Sequence, residues 1–458
     1  MESPQPSGKK TVLLVTTLPS FLIPFMGSSV NIALPSIGKE FAMNAVLLGW
    51  VVTAYLLSMA MFLVPFGRIA DILGRKKVFL WGISLYTFAC LLTILSNSAI
   101  LLIVFRSFQG IGASMVFGTA VAILTSVFPA HERGKALGIN VAATYSGLSL
   151  GPFLGGLLTQ YLGWRSIFWI NIPLGLMVIG FAFWKLKGEW AEAQGERFDV
   201  EGSILYGLSL AAMIYGISLL PAKSGILLGG TGLLGILGFI RYEMKTESPI
   251  FEMNLFRQNR VFAFSNLAAL INYSATFAVS FLLSLYLQYT KGFSPPTAGT
   301  ILISQPIIQA IFSPFAGRLS DKIEPRIVAS MGMALTATGL FSLTFLTKDT
   351  TVAFIIASLI LLGFGFALFS SPNINAVMSS IDKRFYGVAS GTLGTMRVIG
   401  MMLSMAMVMI LFSIYLGRTQ ITPDHYPLLL KSIKGAFVIF AFLCIGGLFA
   451  SVVRGKVR

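Results

Sequence analysis

The chain has 458 residues, 55% of them hydrophobic and only 11% charged, with a formal net charge of +16. A soluble domain carries roughly 25% charged residues, so this composition and a mean hydropathy of +0.83 exclude a water-compatible surface and point to a bilayer. A basic balance also suits nucleic acid, but the cations fall in short loops between apolar runs, which favours contact with anionic lipid and no nucleic-acid partner.

The chain begins "MESPQPSGKK". The apolar stretch that follows is too long for a signal-peptide core and has no small-residue cleavage site, so a retained first spanning helix is expected. A spanning helix needs about 20 apolar residues. Runs of that length fall near 11–35, 48–66, 78–97, 100–127, 136–160, 166–184, 202–221, 224–240, 261–287, 298–316, 327–346, 352–372, 388–414 and 433–453. The pair at 202–240 is rich in Gly and separated only by "PAKS". Fourteen spans predict an all-α integral membrane protein.

Lys and Arg concentrate in cytoplasmic loops. With both termini placed inside, 23 of the 33 cations fall in inside segments and eight in outside loops. The other two, Arg106 and Arg397, fall within spans. The expectation is therefore a multi-pass protein of the cell membrane with both ends cytoplasmic.

"GRIADILGRKK" (Gly67–Lys77) joins the second and third runs and sets Asp71 among Arg68, Arg75, Lys76 and Lys77. "GRLSDKIEPR" (Gly317–Arg326) repeats it 250 residues later, and the runs beginning near 11 and 261 share that offset. The organisation predicted is a six-helix half (1–187), a cytoplasmic linker with two inserted helices (188–245), and a second six-helix half (246–458). Parallel halves of this kind are a transporter plan with the substrate site between them. Gly67, Asp71, Gly74, Arg75 and Asp321 are the candidate conformational latch. Asp71 has two partners to choose from: Arg75, or the positive N-terminus of a helix in the other half. Pro325 occupies the slot that matches Arg75.

A cation in mid-span is expensive and belongs in a cavity or against polar partners. Arg106 and Gln109, in "RSFQGIGAS", therefore read either as coupling or cavity residues or as donors to the backbone of a neighbouring helix. Arg397, in "TMRVIGMMLS", is the cavity candidate of the second half. In "GLSLGPFLGG", Gly147, Gly151, Gly155 and Gly156 allow close helix approach, and Pro152 bends the helix.

These stretches, with "LGWVVTAYLL" (Leu48–Leu57) and "GWRSIFWINIP" (163–173), resemble the major facilitator superfamily over nearly the whole chain. Within it they resemble the fourteen-helix drug:proton antiporters. The resemblance implies multidrug efflux, a role for Arg106 in proton coupling, and a fifth-helix motif that sets the direction of transport. Antiporters of this branch carry an Asp in helix 1, in a stretch resembling "LDxTIVNVALP". Here the matching stretch is "FMGSSVNIALP" (Phe25–Pro35), and Met26 takes the acid's place.

None of the 17 acids falls inside a predicted span, and His131 and His425 lie in loops. A membrane proton relay normally needs such a group, so the proton is only a candidate coupling ion. Two mid-span cations without acids favour neutral or anionic substrates. Candidate cavity residues are Asn31, Tyr55, Tyr145, Asn272, Gln305, Gln309, Asn373 and Asn375. Cys90 and Cys444 lie in apolar runs as inert thiols. No metal, cofactor or enzymatic activity is expected, because the spans hold no His or acid pair. The expected function is efflux of amphiphilic small molecules by a monomer. The alternative is a carrier for an anionic metabolite or lipid that is not proton-coupled.

Overall fold

The computed structural model describes residues 8–191, 193–246, 249–251, 253–381, 386–417 and 419–455. Lys383, Arg384, Arg418, Lys456 and Arg458, counted above for topology, lie outside them. Among the described residues, fourteen helices are long and apolar enough to cross a membrane. They are α1 (Lys9–Glu40), α2 (Ala45–Leu73), α3 (Arg75–Ile94), α4 (Ala99–Val127), α5 (Ala130–Leu162), α6 (Ser166–Lys185), α7 (Val200–Ser218), α8 (Lys223–Glu243), α9 (Arg260–Thr290), α10 (Pro295–Lys322), α11 (Pro325–Phe345), α12 (Val352–Ser379), α13 (Tyr386–Tyr415) and α14 (Pro423–Val453). An even number brings both chain ends to one face, here called the terminal face.

Short polar residues start several helices by capping. Asn44 Oδ1 accepts from the Leu47 amide at 2.8 Å, Asn259 Oδ1 from Phe262 at 2.9 Å, and Asp199 Oδ1 from Gly202 at 2.9 Å. Each satisfies an amide that the helix cannot. The helices run further than the apolar runs predict. α2 continues through "GRIADIL", so the charged junction is not an extended turn: Gly74 alone, at φ +115°, separates α2 from α3.

Helix pairing repeats along the chain. α1 packs on α5, α2 on α4, and α3 on α4 and α6; correspondingly α9 packs on α13, α10 on α12, and α11 on α12 and α14. Across the halves, α2 meets α13 and α5 meets α10. This exchange is the one a pseudo-twofold axis between parallel repeats requires. The inserted pair forms a tight hairpin. A Cβ on Gly232 or Gly235 would strike Met213 or Ser209 of α7, and one on Gly216 would strike Gly229 of α8. That close approach is why the 202–240 stretch is rich in glycine. α7 also packs on α2 and α13, beside one of the two seams.

On the face opposite the termini, Arg165 ties three helices together. It donates to Glu40 at the end of α1 and to the Ile94 and Ser96 carbonyls after α3, and its guanidinium stacks 4.3 Å from the Trp164 ring. In the sequence it is one of the eight outside cations and lies in the "GWRSIFWINIP" stretch.

Candidate functional site

Arg106 is 1% exposed and lies inside the first half, not in an open cavity. Its Nε donates to the Val51 carbonyl at 3.1 Å, its Nη1 to Gln109 Oε1 at 2.6 Å, and it stacks 4.4 Å above the Tyr55 ring. Of its two readings, the geometry matches donation to a neighbouring helix. Gln109 is fully buried and passes the network to Thr93 Oγ1 at 2.9 Å and Cys90 Sγ at 3.7 Å. Met26 ends it: its sulfur lies 3.3 Å from the Tyr86 hydroxyl and 4.0 Å from Cys90 Sγ. The position where the resemblance expects an acid is thus at the end of this network. Met26 gives it a weak acceptor in place of a titratable one.

The fifth-helix glycines divide by face. A Cβ on Gly147, Gly151 or Gly155 would strike α1, at Phe21, Ser28 and Ser29. Ser29 Oγ donates to the Gly151 carbonyl at 2.9 Å. Gly156 faces the other half, where a Cβ would lie 2.6 Å from the Pro295 carbonyl oxygen. Gly299 of α10 returns the contact against the Pro152 carbonyl. Proline at 152 and glycine at 156 and 299 therefore allow two backbones to touch across the seam.

Further bonds join the halves along the same opposite face. Ser284 Oγ donates to the Asn31 carbonyl at 2.7 Å, Gln288 Nε2 to the Ile32 carbonyl at 2.9 Å, and Gln420 Nε2 to the Ala42 carbonyl at 3.0 Å. Asn31, expected in the cavity, is 4% exposed; its backbone carbonyl takes part in this closure, while its side-chain Oδ1 has no partner among the described residues.

At mid-depth the Tyr145 and Ser370 hydroxyls meet across the halves at 3.2 Å. One turn along α12, Phe366 stands edge-on to Tyr273 at 5.3 Å. Arg397 lies 5.7 Å from the Tyr273 ring centre, and its Nε has no acceptor among the described residues. These groups place two aromatic rings and a guanidinium with an unpaired Nε beside an inter-half contact. Asn272, in the neighbouring turn of α9, is fully buried, and neither side-chain amide atom has a partner among the described residues. Gln305 is half-buried, and its carbonyl closes on Gly363. Gln309 is 6% exposed, and its backbone carbonyl accepts from Ser313.

Two residues expected in the cavity are engaged elsewhere. Asn373 Oδ1 accepts from Arg454 Nη1 at 2.9 Å, and its Nδ2 donates to the Ser265 carbonyl at 3.1 Å. Asn375 Nδ2 donates to Asp321 at 3.1 Å. Arg454 is fully buried, although its place after the last apolar run marks it as a loop cation. No sequence signal separates it from Lys456 or Arg458.

At the α2–α3 junction Asp71 pairs with Arg75, at 2.8 Å to Nη2, and Arg75 Nη1 donates to Ser126 Oγ at 2.7 Å. Of the two partners open to Asp71, it is the cation within the motif that is engaged. In the second half Pro325 supplies no guanidinium, and the Asn375 amide reaches Asp321 directly. A Cβ at Gly67 would meet nothing within 4 Å, so its own half does not require glycine there.

The described acids on the spanning helices (Glu40, Asp71, Glu132, Glu201, Glu243, Asp321 and Asp424) all sit in the first or last turns. Among them Glu243 is 2% exposed and accepts from the Phe251 amide.

A family model described as Major Facilitator Superfamily matches residues 17–405, with a further match over 265–457. The chain belongs to the major facilitator superfamily. Among its relatives is the riboflavin transporter RibZ of Clostridioides difficile (strain 630), 30% identical over 444 residues, covering 97% of both chains. The multidrug resistance protein Stp of Mycobacterium tuberculosis (strain CDC 1551 / Oshkosh) is 30% identical over 413 residues, 89% of this chain and 76% of its own. The cephamycin export protein CmcT of Amycolatopsis lactamdurans is 31% identical over 401 residues, 85% and 82% respectively. As a major facilitator protein, the chain is a multi-pass membrane transporter. Its helix pairing repeats between the halves, which meet along two seams, α2–α13 and α5–α10.

Proposed function

We propose that this transporter exports neutral or anionic amphiphilic compounds by alternating access, from a site between Tyr145, Tyr273, Phe366 and Arg397. The observation that carries the reading is Arg397 at mid-depth beside an inter-half contact, with a donor unsatisfied and no acid nearby on the spans among the described residues. The aromatic wall supplies apolar area and the guanidinium fixes an acceptor. Export is favoured by relatives named for multidrug resistance and cephamycin export. A carrier for a neutral heteroaromatic metabolite is the second reading, supported by full-length similarity to a riboflavin transporter and by Met26 in place of the helix-1 acid.

The test is transport in proteoliposomes. Riboflavin serves as the neutral probe, fluorescein as the anion and a rhodamine dye as the cation, against protein-free vesicles. Movement of the neutral or anionic probe above the protein-free control, lost in Arg397→Ala, is the expected result. Equal movement in both vesicle types for all three probes would overturn the assignment.

A further inference from the structure

The segment between α6 and α7, residues 186–198, crosses the charged α2–α3 junction as a strap. Residue 192 within it lies outside the described residues. The Trp190 carbonyl accepts the Arg75 amide at 2.9 Å, and Glu189 Oε1 accepts the Lys76 amide at 2.8 Å. In the other direction, the Ala193 amide donates to the Asp71 carbonyl at 2.9 Å. Arg68 pairs with Glu196. Ala193 is 7% exposed, and Trp190 packs on the hydrophobic core.

These contacts answer a need that the junction creates. The first amides of a helix and the last carbonyls of the one before it have no partner of their own. Here Gly74 alone separates two helices; its amide meets the Ala70 carbonyl and its carbonyl the Val78 amide. The strap meets the Arg75 and Lys76 amides and the Asp71 carbonyl from outside. Its carboxylate also meets the positive end of α3, where an anion is favoured. Gly74 is required for this: its φ is +115°, and a Cβ there would collide with the Glu189 carboxylate. The matching junction of the second half solves the problem alone. Pro325 opens α11 with no amide to satisfy, and the Ile327 amide bonds to the Glu324 carbonyl at 2.9 Å.

We infer that Glu189 is a positioning residue of the transport cycle. By capping α3 it holds Asp71 and Arg75 in the arrangement from which the terminal face closes. The strap also leads directly into α7, which packs on α2 and α13, so the inserted pair and the junction move as one body. This rests on the alternating-access reading above.

The test uses the full chain in lipid with Glu189→Ala and Glu189→Gln. Hydrogen exchange of the segment 75–78 reads the strap whether or not transport occurs. The alanine variant should exchange about tenfold faster there, and the glutamine variant, which keeps the Oε1 acceptor, should not. Transport of the neutral probe should fall about fivefold in maximal rate for the alanine variant, with unchanged half-saturation and recovery in the glutamine variant. Spin labels at Lys135 and Lys322, exposed on the terminal face of the two halves, should show a narrowed set of separations in the alanine variant. Unchanged exchange would refute the cap. Faster exchange with wild-type rates and separations would refute the positioning role while leaving the transporter reading intact.

Discussion

Gly156→Val is expected to abolish transport while leaving the protein folded. Its side chain would point at the Pro295 carbonyl oxygen, 2.6 Å from the Cβ, and at Pro296 Cα, 3.0 Å away. Both neighbours are backbone at the start of α10, and backbone cannot turn aside as a flexible side chain does. Overpacking costs about 1–3 kcal/mol, so the state joined at the opposite face loses roughly five- to hundredfold in population. The cost is confined to that state, because the clash lies between halves that separate when this face opens. Gly299→Val, pressed against the Pro152 carbonyl from the other side, should act the same way. Gly180→Ala, where nothing lies within 4 Å, is the control. Thiol labelling of engineered cysteines on the two faces checks this, in a background lacking Cys90 and Cys444. The opposite face should become reactive and the terminal face protected. Unchanged labelling with lost transport would mean that the seam does not set the conformational balance.

Met26→Asp is expected to make transport depend on pH, which the present sequence does not provide for at this site. Met26 is fully buried, with the Tyr86 hydroxyl at 3.3 Å, and Cys90 and Gln109 lead from it to Arg106. An acid there would join, through Cys90 and Gln109, the buried network that holds the Arg106 guanidinium. Arg106 now has neutral acceptors and an aromatic face, but no carboxylate among the described ion pairs. The Met26→Asp variant should therefore fold. The further change Arg106→Met should then cost about 3–5 kcal/mol, because it leaves a buried charge unpaired. Transport by the unaltered chain should vary little between about pH 5 and 8; that by the Met26→Asp variant should change with pH as the buried carboxyl, whose charge desolvation opposes and Arg106 favours, takes up a proton. A steep profile in the unaltered chain would show that another group carries the proton.

The fold was legible because a bilayer imposes length and apolarity on each span, and the junction motif recurs at a fixed offset. The Gly-rich pair at 202–240 is the useful case. Weak as an apolar signal, it forms two full spans because its glycines let them touch. The site was less legible, for reasons of direction. Spacing places Gly147, Gly151, Gly155 and Gly156 on one helix but does not tell that three face α1 and one faces the other half. Asn373 and Asn375 are polar residues on apolar helices, and only packing tells a buried Arg454 partner or an Asp321 contact from a ligand contact. Arg454 reads as a terminal cation until α9 and α12 close around it. The strap is invisible for a related reason: its bonds to Arg75 and Asp71 run through backbone atoms, which every sequence has.

The charge of the bound compound is the most direct test of the central claim. The proposed site holds Arg397, and among the described residues no acid lies within the helix turns that bear its residues. At an effective dielectric of about 20, a ligand cation about 6 Å from a guanidinium is repelled by roughly 3 kcal/mol. Water in the site reduces this, leaving a difference of about tenfold or more in affinity. The measurement is a set of dissociation constants for cationic, neutral and anionic compounds sharing one xanthene ring system, at fixed pH and salt. The neutral and anionic members should bind tighter than the cation, and Arg397→Ala should narrow the gap. A cation that binds tightest, and no tighter still in Arg397→Ala, would contradict the account.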